Sequence, residues 1–437
     1  MKVCVMAEQT ALANGVRIKP EEKSGWSFTS FLDRFALWLL IAMPVLFVLG
    51  RAPADIAVSF IGLLFLIRSA LGLGWQWLRT PWLLMALVFW AYLQSVSLLA
   101  ISPVDSFGRA LPFIRFLLFA AALQHWLLTE PRVIKRFLSV LACVVAFVWI
   151  DCLYQYQFGQ DIFGKTAEGL FRLSGPFNND VAGTFLAKVS LPLIGWWFAW
   201  SAGRGHLSWS VGGVVALMIG LMILLTGERT AVVSYGMGLA FLVLLVRSVR
   251  RPLLLIGLMG MIGIGGLVMH DEDLRERFVG HTSSDFQDFW SNRYGIIFVR
   301  AIEAWEEAPV TGVGLKNFRL TCETDNFDHK GPIESWCFNH AHNPYLELLS
   351  ETGLLGLLLF LGIVILILKE IAAGWRPGRP DFPLVVGASA SLLLFLWPVM
   401  VSKSLFSNWN AMLLWLAIGL ALAIVRPRPL LPGSKTP

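Results

Sequence analysis

Apolar runs of about 20 residues, the length a helix needs to cross a hydrocarbon core of about 30 Å, recur along nearly the whole chain. The pattern predicts about twelve such helices, over 33–50, 54–72, 81–101, 108–128, 136–157, 182–200, 208–225, 230–246, 252–270, 345–368, 383–402 and 408–425. The chain thus divides into a polar tail at 1–32, nine helices over 33–270, a long polar connection at 271–343, three helices over 344–425 and a Pro-rich tail at 426–437. No internal repeat and no soluble domain at either end is discernible.

Composition agrees with this reading. Of 437 residues 56% are hydrophobic and only 15% charged, and the mean hydropathy is +0.67; a soluble domain carries roughly 25% charged residues. Such a chain is neither disordered, nor a disulfide scaffold, nor a water-soluble enzyme. We expect an all-α polytopic membrane protein. Its net charge of +6 does not imply nucleic acid, because membrane proteins collect Lys and Arg in cytoplasmic loops. With the N-terminus inside, the inner loops hold eleven cations from Arg79 to Arg379, whereas the short outer loops hold five: Arg51, Lys165, Arg172, Arg229 and Lys403. This obeys the positive-inside rule and places both termini in the cytoplasm. Met1 to Trp26 lacks the apolar core and cleavage site of a signal peptide and reads as a retained tail.

The connection from Asp271 to Asn343 falls on the outer face, and loops this long are usually functional or folded. Within it, Asn292 to Glu307 spaces Ile296, Phe298, Val299, Ala301 and Trp305 as a helix would, before Pro309, Gly312 and Gly314 break the pattern. An amphipathic helix is expected there, on the bundle or in the interface. Cys322 and Cys337 lie in the same loop, and in an oxidising compartment a bridge between them would contribute about 3 kcal/mol; two free thiols are the alternative.

Several cations fall where topology does not require them. Arg229 stands in Thr226-Gly-Glu-Arg-Thr230, Arg172 in a turn-rich loop, and Arg293 at the start of the amphipathic segment. His340 and His342 close the long loop. All five belong to one face. A lone outer Arg is commonly a headgroup anchor, but several together suit phosphate or diphosphate, which the guanidinium grips with a rigid fork. A His beside them, with an ordinary pKa near 6.5, would serve as general base. Group transfer from a lipid diphosphate is therefore the expected chemistry. Arg115, Asp151 and Lys188 fall inside predicted spans, where ionisable residues tend to line polar cavities; Asp151 and Lys188 are placed to pair, and Arg115 to add to the site. A metal is not expected: the first outer loop holds only Asp55, and Asp271-Glu-Asp273 reads as capping charge at a helix junction.

The stretch from His342 through Asn343, Pro344 and Tyr345 to Gly356 resembles the signature of the O-antigen ligase and O-antigen polymerase superfamily. Thr226-Gly-Glu-Arg229 is similar to that family's Arg-bearing turn, and Asn292-Arg293 with Val310-Thr-Gly-Val-Gly314 to its Arg, helix and Gly-x-Gly segment; Arg172 to Asn178 is similar to another of its outer turns. The resemblance implies a GT-C-like, metal-independent, inverting glycosyltransferase of a bacterial inner membrane, without a cofactor, acting on the periplasmic face. Its donor would be a glycan on undecaprenyl diphosphate, and in the ligase branch its acceptor lipid A-core, with membrane lipids around it. It further implies His342 as base, Arg229 and Arg293 on the diphosphate and Arg172 as a weaker third member. His340 would orient the loop or touch the acceptor, and Glu228 would pair with Arg229 when the donor is absent. A polymerase and a protein O-glycosylating enzyme share this chemistry. A flippase of lipid-linked sugars is the rival of another class, and would predict related halves and midplane charges.

Overall fold

The computed structural model describes residues 28–167, 172–177, 182–270, 272–280, 283, 289–290, 292–321, 338–398 and 402–426. Nine of the described helices are long and apolar enough to cross a membrane. They are α1 (Phe28–Leu49), α2 (Arg51–Leu73), α3 (Pro81–Leu98), α4 (Pro103–Leu127), α5 (Pro131–Phe158), α7 (His206–Leu225), α9 (Arg247–His270), α11 (Pro344–Ala373) and α13 (Asn408–Val425). Helices also occupy the other three expected stretches: α6 (Ala182–Ser201), which carries Lys188, and the shorter α8 (Arg229–Leu245) and α12 (Phe382–Leu396). No strand occurs among the described residues.

Helix α12 ends earlier than the hydropathy predicts. Pro398 forces Trp397 to an extended ψ of 122°, so the helix stops at Leu396 and residues 402–407 form a loop. At the centre, every residue of α13 from Trp409 to Val425 is buried, as an apolar helix with no polar face should be. Small residues let the backbones close in: a Cβ on Gly419 would meet Ala120 and Leu123 of α4, and one on Gly387 of α12 would strike the Leu191 carbonyl of α6.

Connections sort to two ends as the alternation requires. At one end Arg426 bonds His125 (2.9 Å), Thr80 meets the same ring (3.2 Å) and Arg379 reaches the carbonyl of Val425 (3.2 Å). The other end gathers the turns at Gly50, Ile101, Lys165, Gly175, Glu228, Gly314, His342 and Lys403.

In the long connection, α10 (Arg293–Glu307) starts on Asn292, whose side chain accepts from the amides of Tyr294 (2.9 Å) and Gly295 (3.0 Å). It packs on α11, burying Ile297, Ala301 and Ala304 with Val313, Phe318 and Phe338. Its inward stripe therefore runs through Ile297 rather than through Ile296, Phe298 and Val299, because three small or β-branched side chains at i, i+4 and i+7 allow closer approach than the bulkier set.

Helix α11 is broken at Gly353, which takes φ +67°, a conformation glycine alone enters without strain. The break releases backbone groups that membrane burial cannot leave bare. The Val313 and Gly314 amides donate to the carbonyls of Ser350 (2.9 Å) and Glu351 (3.0 Å), and the Leu354 amide donates to Pro309 (2.9 Å). Tyr92 of α3 shares its hydroxyl between the carbonyls of Thr352 (2.8 Å) and Val310 (2.9 Å). Replacing Gly353 by Ala should cost about 1–3 kcal/mol, since it adds left-handed strain and drives a Cβ into the Val310 carbonyl. Gly362→Ala, on the same helix with only ordinary contacts to Met85, should be neutral. Thermal unfolding of the two detergent-solubilised variants would compare them directly.

Candidate functional site

The second of these two ends encloses a cavity of about 200 Å³ whose walls include His342, Tyr294, Lys188, Glu228, Ser402 and Lys403. Five pieces of chain meet there: α6, the turn before α8, α10, the start of α11 and the loop after α12.

His342 sits at the end of the long connection with φ +53°, a left-handed conformation uncommon for a residue with a Cβ. Hydrogen bonds to the start of α11 and to the loop after α12 hold it there. The carbonyl of His342 accepts the Ser402 amide (2.7 Å), and the Asn343 side chain caps α11 by accepting from Tyr345 (3.0 Å) and Leu346 (3.2 Å). The Asn343 amide group donates to Pro398 (2.6 Å), the Tyr345 hydroxyl to Leu396 (2.5 Å), and Glu347 accepts the Leu405 amide (2.7 Å). The His-Asn-Pro-Tyr start of α11 and the 396–405 loop are thus one stitched unit, with the imidazole turned to the cavity.

His340 lies beside it, ring centroids 4.1 Å apart. Burial holds the His340 imidazole below the usual histidine range, so it is neutral at pH 7, and its buried Nε2 lacks a partner. It is not among the residues lining the cavity; His342 is.

The expected cations reach the same end by different routes. Arg229 opens α8, half-buried, between Glu228 and Thr230, both of which line the cavity. The backbone of Arg293 opens α10 immediately before Tyr294, another wall residue; the Arg293 side chain lies outside the described residues. Arg172 is exposed at the start of the turn Arg172 to Phe177, which Gln155 of α5 fixes by accepting the Gly175 amide (2.9 Å). Its charge acts on Glu228 and Lys403. The Cys322 and Cys337 pair, like Asp271, falls outside the described residues.

Three expectations change. Lys188 does not pair with Asp151: its amine donates to Asn410 (3.1 Å) and lies 4.0 Å from the Phe395 ring, while Asp151 accepts the Ile162 amide (2.8 Å). The two helices present these residues to different neighbours. Arg115 is engaged by Asp55 (2.9 Å), itself bonded to Asn408 (3.2 Å), which places it in the wall between α2, α4 and α13 rather than in the cavity. Glu228 turns not to Arg229 but to Thr184, accepting from its amide (2.6 Å) and hydroxyl (2.8 Å). Burial raises the Glu228 pKa, and the charges of Lys188 and Arg172 oppose that shift.

Lys403 was not singled out from the sequence, where it reads as one of five ordinary outer-loop cations. Only the early end of α12 brings it into the cavity beside His342. Burial, with the charges of Arg51 and Arg172, lowers its pKa to about 8.

Residues 213–361 match a family model described as O-antigen ligase. The matched region belongs to the O-antigen ligase superfamily. It runs from α7 through the Arg229 turn, α10 and His342 to just beyond the Gly353 break, and so contains Arg229, Arg293, His340 and His342, while Arg172, Lys188 and Lys403 lie outside it. No curated protein matches the chain.

Asn343 is the joint of this site, and its removal should be felt. Asn343→Ala should destabilise the protein by about 1–2 kcal/mol through loss of the cap. Asn343→Asp, which still caps but cannot donate to Pro398, should fall between it and wild type in thermal unfolding.

Proposed function

We propose that the protein is a membrane glycosyltransferase of the O-antigen ligase type. It moves a glycan from undecaprenyl diphosphate to a sugar hydroxyl of lipid A-core, on the periplasmic face of a bacterial inner membrane. The observation that carries this reading is a single cavity in which His342 faces two amines, with three arginine positions around it.

In the step, a ring nitrogen of His342 takes the proton of the acceptor hydroxyl. The hydroxyl oxygen forms a bond to the anomeric carbon from the face opposite the diphosphate, and the bond from that carbon to the phosphate oxygen breaks. The electron pair leaves with the diphosphate and the configuration inverts. Charge growing on the leaving group is met by Arg229, Arg293 and Arg172, with Lys188 and Lys403 from the cavity wall. These cations supply the electrostatic help that a metal would otherwise provide. Neutral His340, its ring close beside that of His342, adds no competing positive charge as the base takes up its proton. A polymerase would use the same donor and base but join one glycan repeat to another.

The test is the electrophoretic profile of lipopolysaccharide and carrier-linked glycan from cells lacking the protein. Polymer trapped on the carrier with bare core would identify a ligase, and core bearing a single repeat a polymerase. His342→Asn is the informative variant, since Asn tolerates φ near +53° and so removes the base without straining the turn. It should lower transfer by roughly 10²–10⁴-fold. A normal ladder from this variant would overturn the assignment and favour a transporter.

Lys403 predicts a pH dependence. Its amine is charged below pH about 8 and loses its proton above that value, so donor KM should rise as pH passes 8. Lys403→Arg should flatten that rise, and Lys403→Met should raise donor KM by roughly tenfold at pH 7.

A further inference from the structure

A second and larger cavity, about 490 Å³, opens on the same end of the bundle between the α1–α2 turn and the turns after α5. We infer that this cavity is a subsite for an anionic saccharide, a sugar bearing phosphate or carboxylate, belonging to the acceptor substrate.

The walls have the chemistry for such a ligand. Arg51 and Lys165 bring two cations, while Phe163, Phe177 and Trp409 bring aromatic surface on which a sugar ring can stack. The volume lies within the range of small-ligand sites, roughly 300–1,000 Å³. The frame is firmly built. Lys165 is fixed by donating its amine to Pro176 (3.2 Å), and its loop is closed by Asp161, which accepts the amides of Phe163 (3.0 Å) and Lys165 (2.6 Å). Trp409 is held edge-on by Phe47 (5.5 Å) and Phe177 (5.6 Å).

Position ties the cavity to the one containing His342. Phe177 and Trp409 also border a narrow space of about 10 Å³, which in turn shares Thr184, Lys188 and Lys403 with the His342 cavity. The two cavities are neighbours across one thin partition. The charge of Arg51 acts on Lys403 along with that of Arg172, so cations crowd both sides of it. A phosphate-bearing donor on one side and an anionic sugar on the other would relieve that repulsion together.

The acceptor role rests on the transferase reading above; the binding itself does not. Saturation-transfer NMR with glucose 1-phosphate, on the full chain in phosphatidylcholine nanodiscs, tests it. Wild type and His342→Ala should bind alike, Arg51→Ala/Lys165→Ala should bind roughly tenfold more weakly or worse, and the charge-conserving Arg51→Lys/Lys165→Arg should recover most of the affinity. Unlabelled glucose should compete poorly. Binding that is absent in wild type, survives the double alanine variant, or is lost in His342→Ala would overturn the subsite. Loss of binding when phosphatidylglycerol is added to the nanodisc would assign the pocket to a lipid headgroup instead, and would overturn it too. Binding that behaves as expected, in a protein that transfers no glycan, would leave the subsite standing and remove the transferase reading.

Discussion

A helix broken inside an apolar bundle must find new partners for every backbone group it releases, and this requirement organises the end of the protein that holds His342. At Gly353 the chain of α11 turns through a left-handed residue, and the carbonyls of Ser350 and Glu351 lose their helical donors. The Gly312 to Gly314 turn supplies replacements, and Tyr92 adds its hydroxyl from α3. Because that turn comes directly after α10, repairing the break also fixes where α10 lies and where Tyr294 faces His342. The glycines at 312, 314 and 353 are thus one device: each allows two backbones to meet where a side chain would intervene.

Much of this was legible in the sequence. Helices occupy all the stretches that the apolar periodicity marks, because a 20-residue apolar run in a membrane protein has few other outcomes. The motifs around Gly314 and His342 were visible as motifs, but nothing in their spacing reveals that they hydrogen-bond each other. On α10 the expected Ala301 is buried, but its partners are Ile297 and Ala304 rather than Ile296, Phe298 and Val299: in a short helix against another helix, fit favours small side chains over larger apolar neighbours. Partners of buried charges were harder still. Asp151 and Lys188 are close in span order, yet helix rotation gives one the Ile162 amide and the other Asn410. Lys403 escaped notice because hydropathy cannot see that Pro398 ends α12 early.

The site is also a balance of like charges. Lys188, Lys403, Arg172 and Arg229 are held at one end of a low-dielectric bundle, and among the described residues Glu228 is the single acidic wall of the His342 cavity. Its Oε2 accepts from the Thr184 amide and hydroxyl, and the charges of Lys188 and Arg172 act on the carboxylate from nearby. The surplus is a standing preference for anions, built from residues on separate elements and maintained by backbone hydrogen bonds rather than by mutual attraction.

Helix α13 is the last helix described and has no face left for lipid. A segment of that kind, leaving the ribosome after its neighbours, has to enter a bundle whose slot is already shaped by α2, α4, α11 and α12. Trp409 and Asn410, near its start, form part of the partition between the two cavities, and Asn410 holds Lys188. Maturation therefore has a built-in order: a chain still being synthesised owns its histidine and arginines but not a finished chamber, so competence arrives only with α13.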